Sequence, residues 1–185
     1  FQFPVYKRAY TTLKVAMKLV SYAHFPSRID LESFFMDGTP EDSLLGIMTA
    51  TIDATRNPYL SIYKDYLLAQ VKWEDYGLAG ISIIHVGQVI PGLTLARLLR
   101  ERYPHLHIVI GGSVFNRHAD ILNDKQMLFE KFFHSIILFD GEHPLDCLVT
   151  QLKENKSLHS VPNLIHMDKG KVIIQKRQAK LPRDS

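Results

Sequence analysis

The sequence has very little cysteine, little excess of charge and no long apolar run. One Cys in 185 residues excludes an intramolecular disulfide framework and a thiolate zinc site, and favours a reducing compartment such as the cytoplasm. Lys and Arg number 22 and Asp and Glu 19, so the net charge of +3 indicates neither a nucleic-acid nor a membrane partner. The longest uncharged stretch, 76–96, is interrupted by glycines and a proline, so we expect no membrane-spanning helix.

Common catalytic and nucleotide-binding motifs are also missing. The sequence contains no G-x-G-x-x-G, no G-x-x-x-x-G-K-[ST] and no G-x-S-x-G. Cys147 lies in an apolar helical stripe, which predicts a structural thiol. His105 and His107 could share one side of a strand, but no third ligand stands at a supporting spacing, which favours surface histidines. We therefore predict no catalytic residue and no metal ligand in this chain.

The residues that are present predict two kinds of organisation. With 46% hydrophobic and 22% charged residues, the composition is that of a globular protein of roughly one domain. Residues 1–72 have the apolar spacing of helices, at 9–22, 40–54 and 59–71. From residue 73 onward, short apolar runs at 78–85, 107–110 and 135–139 alternate with helical stripes.

This alternation predicts the fold class. Strand–helix units of this length need crossover connections, which build a parallel sheet with helices on both faces. We expect an α/β, doubly wound, flavodoxin- or Rossmann-like parallel sheet in 73–160, preceded by a helical segment in 1–72. A hairpin around Asp168-Lys169-Gly170 and a basic linker to a missing downstream domain are expected in 161–185.

In such sheets, ligands bind at the carboxyl ends of the strands. The loops to consider are 85–88, 111–116 and 140–143, of which two are rich in glycine. Glycine there either lets the backbone approach a flat ligand or a phosphate, or permits a tight turn needed for packing. His85 at the end of the first strand is either bonded to nearby backbone or a wall of a ligand cleft. The residues alone leave both pairs of interpretations open.

In their order along the chain, these loops resemble the cobalamin-binding domain that precedes the catalytic domain in many radical SAM enzymes. Four segments carry the resemblance: 80–88 (GISIIHVGQ), 91–99 (PGLTLARLL), 108–112 (IVIGG) and 140–145 (DGEHPL). It covers about 57–174 and includes 161–170 (VPNLIHMDKG), which is typical of the group. Ser82-Ile83-Ile84 stands at the family's S-x-L motif, and 26 residues, 85–110, precede the G-G pair.

The resemblance implies a cofactor, partners and site residues. Ser82, Gly111 and Gly112 would line the slot for the dimethylbenzimidazole tail of cobalamin. Gly87, Gln88 and Ser113 would face the corrin, with His85 nearby, and Gly141 and Glu142 would close the rim. Glu142 also has a purely structural interpretation as a carboxylate at a helix N-terminus. The iron–sulfur cluster and S-adenosylmethionine would be held by a radical SAM domain downstream in the same chain, because the motif C-x-x-x-C-x-x-C is absent here.

The chain departs from the family pattern at two places. The family's D-x-H-x-x-G motif is absent, since the corresponding segment 35–40 reads FMDGTP, so no histidine ligand to cobalt is implied. The usual E-G-E is D-G-E at 140–142. The favoured hypothesis is a cobalamin-binding module of a B12-dependent radical SAM enzyme, not catalytic alone. The alternative is a degenerate B12-like domain that serves as a scaffold or substrate-docking surface without cofactor.

Overall fold

The computed structural model describes residues 3–31, 33–39, 43–117 and 119–175, except for the side chain of Asp120. The chain divides into two compact units that interleave along the sequence. One unit comprises Phe1–Val71 and His85–Leu95, and the other comprises Lys72–Ile84 and Ala96–Ser185.

The first unit contains helices and one short hairpin. Its elements are α1 (Phe3–Ala23), β1 (Ser27–Ile29), β2 (Phe34–Met36), α2 (Leu44–Ala50), α3 (Tyr59–Ile62), a π-helical turn (Tyr63–Leu67) and α4 (Leu68–Gln70). The antiparallel β1–β2 hairpin lies between the helices predicted at 9–22 and 40–54, in a stretch for which no strand was predicted. Phe34 and Met36 point into a buried cluster with Ala50 and Ile90, so burial on one side of β2 stabilises the strand.

A buried asparagine joins three parts of this unit. The Nδ2 atom of Asn57 donates to Ala50 O and to Thr94 Oγ1, both at 2.9 Å. Its Oδ1 atom accepts from Tyr59 N at 3.1 Å, at the beginning of α3. The side chain thereby satisfies the end of one helix and the start of the next, as buried polar groups require.

The second unit is built around a five-stranded sheet. Its strands are β3 (Leu78–Ser82), β4 (His107–Gly111), β5 (Ser135–Ile137), β6 (Leu164–Asp168) and β7 (Lys171–Ile174). The connecting helices are α5 (Val89–Arg102, shared with the first unit), α6 (Ser113–Asn116), α7 (Gln126–Lys131) and α8 (Glu142–Lys153). Its described residues also form 3₁₀ turns at Trp73–Asp75, Ala119–Asp124 and Leu158–Ser160, and a further 3₁₀ turn, Val86–Gln88, lies in the first unit.

The sheet is mixed, which confirms an α/β fold in its general form. Strands β3, β4 and β5 are parallel, whereas β6 and β7 are antiparallel to their neighbours and form the expected hairpin. A parallel sheet was expected in 73–160, and the strands there are parallel; the sheet as a whole is mixed because the hairpin of 161–185 joins its edge. The five strands follow chain order without reversal, so they do not by themselves establish a doubly wound, flavodoxin-like order.

Helix α8 covers one face of the sheet. Leu148 of α8 is fully buried against Val109 of β4 and Ile137 of β5, in a cluster that also contains Val161 and Leu164. Because alternate strand residues point to opposite faces, this contact identifies the face that Val109 and Ile137 share. Among the described residues, no helix is long and apolar enough to cross a membrane.

Candidate functional site

The carboxyl end of the β3–β4 pair is almost bare of side chains. Ser82 is the register partner of Gly111, and Gly80 is the partner of Val109, so all four residues point to the face that α8 covers farther along the sheet. Gly80 and Ser82 are exposed and Gly111 is half-buried. A Cβ atom added to Gly80 or Gly111 would meet no atom closer than 3.9 Å and 4.0 Å, respectively. A Cβ at either position would therefore make only an ordinary van der Waals contact, without a clash.

Gly112 has a different reason to be glycine. Its φ of +108° is a conformation that side chains rarely adopt, and an added Cβ would lie 2.3 Å from the carbonyl oxygen of Ile83. The backbone after β4 thus packs directly against the backbone after β3. Chain packing alone requires glycine at this position.

The loop after β4 is hydrogen-bonded on both sides. Ser113 Oγ donates to Ile84 O at 2.9 Å, beyond the end of β3. On the other side, Phe139 N donates to Asn116 Oδ1 at 2.9 Å, beyond the end of β5. The loops that follow three neighbouring strands are therefore held together by side chains of α6.

The third predicted loop begins α8. Gly141 is the residue before the helix, and a Cβ added there would lie 3.7 Å from Ile137 Cγ2, an ordinary contact. Glu142 is exposed in the first turn, where a carboxylate stabilises the positive end of a helix. This placement agrees with the structural interpretation of Glu142 and does not test a role at a cofactor rim.

The remaining predicted site residues belong to the first unit. His85 precedes the 3₁₀ turn Val86–Gln88, where its Nδ1 atom accepts from Gly87 N at 3.1 Å and its own backbone N donates to Gln88 Oε1 at 3.3 Å. Gly87 is buried, and an added Cβ would lie 2.7 Å from Ser33 Cβ. Local hydrogen bonding and close packing account for these three residues without a ligand, so their predicted contacts with cobalamin stay predictions.

Sequence reasoning identified Ser82 and Gly111, which the structure places opposite each other, but it missed Gly80 and Asn116. Gly80 could have been found, because a glycine inside a predicted strand often marks a place where a ligand or another backbone approaches closely. Asn116 offered no comparable signal, because its partner Phe139 is 23 residues away.

Histidines occupy the opposite, amino end of the same strands. His107 begins β4, and its Nε2 atom lies 2.8 Å from Ser135 Oγ at the start of β5. The ring of His134 stacks on that of His107 with centroids 5.0 Å apart, and His134 Nδ1 accepts from Ile108 N at 2.9 Å. Ser135 is in turn the register partner of the buried His166 of β6.

This histidine row is held in its neutral form. Burial, with the neighbouring His134 and the cationic Arg100, lowers the pKa of His107 to about 3. Burial and Arg100 lower the pKa of His134 to about 4. Burial also lowers the pKa of His166. Neutrality is needed for the hydrogen bond as well, because a proton on His134 Nδ1 would remove the acceptor for Ile108 N.

The described part of the chain also contains possible metal ligands and the single cysteine. No group of three or more His, Cys, Asp or Glu side chains in the described ranges is arranged to hold a metal ion. Cys147 is half-buried in the α8 cluster, and its Sγ atom lies 3.7 Å from Nε2 of His143, one helical turn earlier.

Comparison with models of known protein families finds no match for this chain, and comparison with curated protein sequences finds none either. The geometry of the site and the motifs themselves therefore carry the functional assignment.

Proposed function

We propose that the chain is the cobalamin-binding module of a radical SAM enzyme and works with a catalytic iron–sulfur domain of the same polypeptide. The observation that supports this most is the bare carboxyl end of β3 and β4, where Ser82 and Gly111 are register partners. In the motif pattern that the chain resembles, these two positions line the slot for the nucleotide tail.

The residues at the carboxyl ends of β3 and β4 fit the nucleotide tail of cobalamin in part. Gly80, Ser82 and Gly111 lie on one face and leave room for a flat group, and the Ser82 hydroxyl and the strand backbone offer hydrogen bonds. Gly112 adds no room, because its missing side chain is accounted for by Ile83. When bound, cobalamin would supply methyl transfer or related radical chemistry to the parent enzyme. This chain would bind and orient it in the reducing environment of the cytoplasm.

The alternative is a degenerate B12-like domain that acts as a scaffold or substrate-docking surface. It is favoured by Gly112 and Gly87, two glycines of the predicted site that close packing against Ile83 and Ser33 requires in any case. On this interpretation the glycines maintain the fold and the edge holds no cofactor.

Gly111 distinguishes the two hypotheses better than Gly112. A Cβ at Gly111 makes only an ordinary contact with Ile137 O, so Gly111→Leu should preserve the fold and fill the slot. A side chain at Gly112 would disturb the fold whether or not a ligand binds. Gly77→Leu is a matched control, because Gly77 is exposed just before β3, at its amino end, with nothing within 4 Å of an added Cβ.

The test is to incubate hydroxocobalamin with the chain, and with the longer polypeptide that the proposal requires, and then to separate free cofactor by gel filtration. We expect the cobalt chromophore to travel with the unaltered protein and with Gly77→Leu, and to be lost from Gly111→Leu. Protein peaks without chromophore in both preparations would reject the cofactor role. In that case, undiminished activity of the Gly111→Leu enzyme would support the scaffold.

A further inference from the structure

Helix α1 exposes an unusual amount of apolar surface. In the described part of the chain, eight of the 22 exposed large apolar side chains belong to this one helix, and none of its residues is buried. Val5 is 61% exposed and Leu13 is 47% exposed. A single exposed side chain of this kind is ordinary, whereas so many on one helix indicate a surface that meets a partner.

One side of α1 carries apolar residues and alanines, and its three lysines lie on the opposite side. Exposed apolar residues also lie elsewhere on the helix, since the Tyr10 ring lies 5.3 Å from Lys14 Nζ. Val5, Ala9, Leu13 and Ala16 recur at four- and three-residue spacing and share one side of the helix. A shallow depression of about 510 Å³ runs along this side and is lined by Val5, Arg8, Ala9, Thr12, Leu13 and Ala16.

The charge of α1 is entirely positive. Lys7, Lys14 and Lys18 lie on the side away from the apolar strip, Arg8 lies at its border, and the helix contains no Asp or Glu. Four cations and no anion give α1 a charge of +4, whereas the whole chain carries +3, so the rest of the chain sums to 3 − 4 = −1. The surface of α1 is therefore strongly basic, although the net charge of the whole chain is small.

Among the described residues, the contacts of α1 with the rest of its unit lie near the C-terminal end of the helix. Ser21 Oγ accepts from Ile29 N at 2.9 Å, which anchors the end of the helix to β1. Met17 and Val20, next to this anchor, are half-buried, but the helix from Phe3 to Leu13 is exposed at every residue. The free portion is thus a basic amphipathic helix held at one end.

We propose that α1 is a membrane-surface helix that lays its apolar side into the headgroup region of an anionic bilayer. A helix in that position needs an apolar strip along its length, cations that reach back to lipid phosphates, and no acidic residue, and α1 has all three. At 21 residues it is roughly 30 Å long and lies along the membrane without crossing it. The expectation of no membrane partner rested on spanning segments and on whole-chain charge, neither of which describes this surface.

A second copy of the chain is a poorer occupant of the strip. Pairing two α1 helices would bury the apolar sides but would leave the cations of both copies without counter-charges, and it would place an Arg8 on the border of each strip. An anionic bilayer covers the strip and neutralises the cations together.

The proposal is tested by sedimentation of the whole chain with vesicles of phosphatidylcholine alone or mixed with phosphatidylglycerol. We expect binding to the anionic vesicles, weakened by added salt, and little binding to the neutral ones. Lys7→Gln with Lys14→Gln should weaken binding about 25-fold, since each cation near such a surface contributes about fivefold. The control Lys64→Gln with Lys72→Gln removes the same charge from exposed positions outside α1 and should change binding little.

The apolar strip is tested separately. Val5→Gln with Leu13→Gln should abolish vesicle binding and leave the circular dichroism spectrum and the unfolding midpoint unchanged, because both side chains are largely exposed. Leu45→Gln with Ile52→Gln, which alters two exposed apolar residues elsewhere, should bind as the unaltered chain does. Equal binding to neutral and anionic vesicles, equal loss in the control pairs, or a stable dimer that the α1 changes dissociate would overturn the proposal.

Discussion

The two ends of the β3–β4–β5 strands are built in opposite ways. At the amino end, His107, His134 and Ser135 fill the space between neighbouring strands with stacked, neutral, hydrogen-bonded rings. At the carboxyl end, Ser82 and Gly111 are register partners, and a Cβ added to Gly111 would meet no described atom closer than 4.0 Å.

This difference shows that a glycine in a strand, or just after one, can be small for two different reasons. Gly112 is small because another backbone occupies the place of its side chain, whereas a Cβ at Gly80 or Gly111 would make only an ordinary contact. Glycine inside a strand weakens it, so under the proposed function the glycines of the carboxyl end are kept for the room that they leave to a ligand.

The largest effect is expected at Gly112. Gly112→Ala places a Cβ atom 2.3 Å from Ile83 O in a backbone conformation that alanine avoids, so we expect the free energy of unfolding to fall by at least about 3 kcal/mol. Urea unfolding measures this loss. Gly77→Ala, with open space around it, should change stability by less than about 1 kcal/mol. Equal tolerance of the two substitutions would remove the distinction between the two kinds of glycine.

The second effect is a loss of stability in acid that we expect from the histidine row. The pKa of His107 and His134 is about 3 and about 4 in the folded chain, against the ordinary value of 6.5, so the unfolded state binds protons first. Stability should therefore be constant above pH 6.5 and should fall as the pH drops from 6.5 toward 4, by roughly 2 kcal/mol for each imidazole.

His134→Asn checks the origin of this acid sensitivity. Asparagine retains an acceptor for Ile108 N but does not titrate, so the variant should lose less stability between neutral pH and pH 4 than the unaltered chain. Urea unfolding at a series of pH values gives the comparison. A pH dependence identical to that of the unaltered chain would show that His134 does not contribute.

The smallest effect is expected at Gly80. Gly80→Ala adds a methyl group whose nearest neighbour is Val109 Cγ1 at 3.9 Å, so the unfolding free energy should rise by about 0.5 kcal/mol through the lower entropy of the unfolded chain. Thermal unfolding is sensitive enough to detect this. A loss of stability would mean that the space above Gly80 is not open.

The sequence predicted the sheet better than the first unit. The strands β3, β4 and β5 begin where apolar runs bounded by glycine or charge predicted them, and the β6–β7 hairpin lies around Lys169-Gly170 as expected. The β1–β2 hairpin was missed because its strands have three residues each. So short a run, with Phe34, Phe35 and Met36 all apolar, has neither a helical nor an alternating period.

The candidate site was predictable in position but not in detail. Strand order and the positions of Ser82 and Gly111 placed these residues at one edge, because the carboxyl ends of parallel strands lie together. A local sequence pattern does not show which atom lies opposite each glycine in the folded chain. Ile83 lies 29 positions from Gly112, and Ser33 lies 54 positions from Gly87, so only the folded chain shows that packing accounts for these two glycines.

The interleaving of the two units has a practical consequence for any attempt to study one without the other. The segment His85–Leu95 lies between β3 and β4 in sequence, yet Ile90 packs with Phe34 and Ala50, and Thr94 hydrogen-bonds to Asn57. A shortened protein that starts after Val71 would keep every strand of the sheet but strip this segment of its buried neighbours. Failure of such a fragment to retain a cofactor would then report on a damaged connection and not on the strand ends.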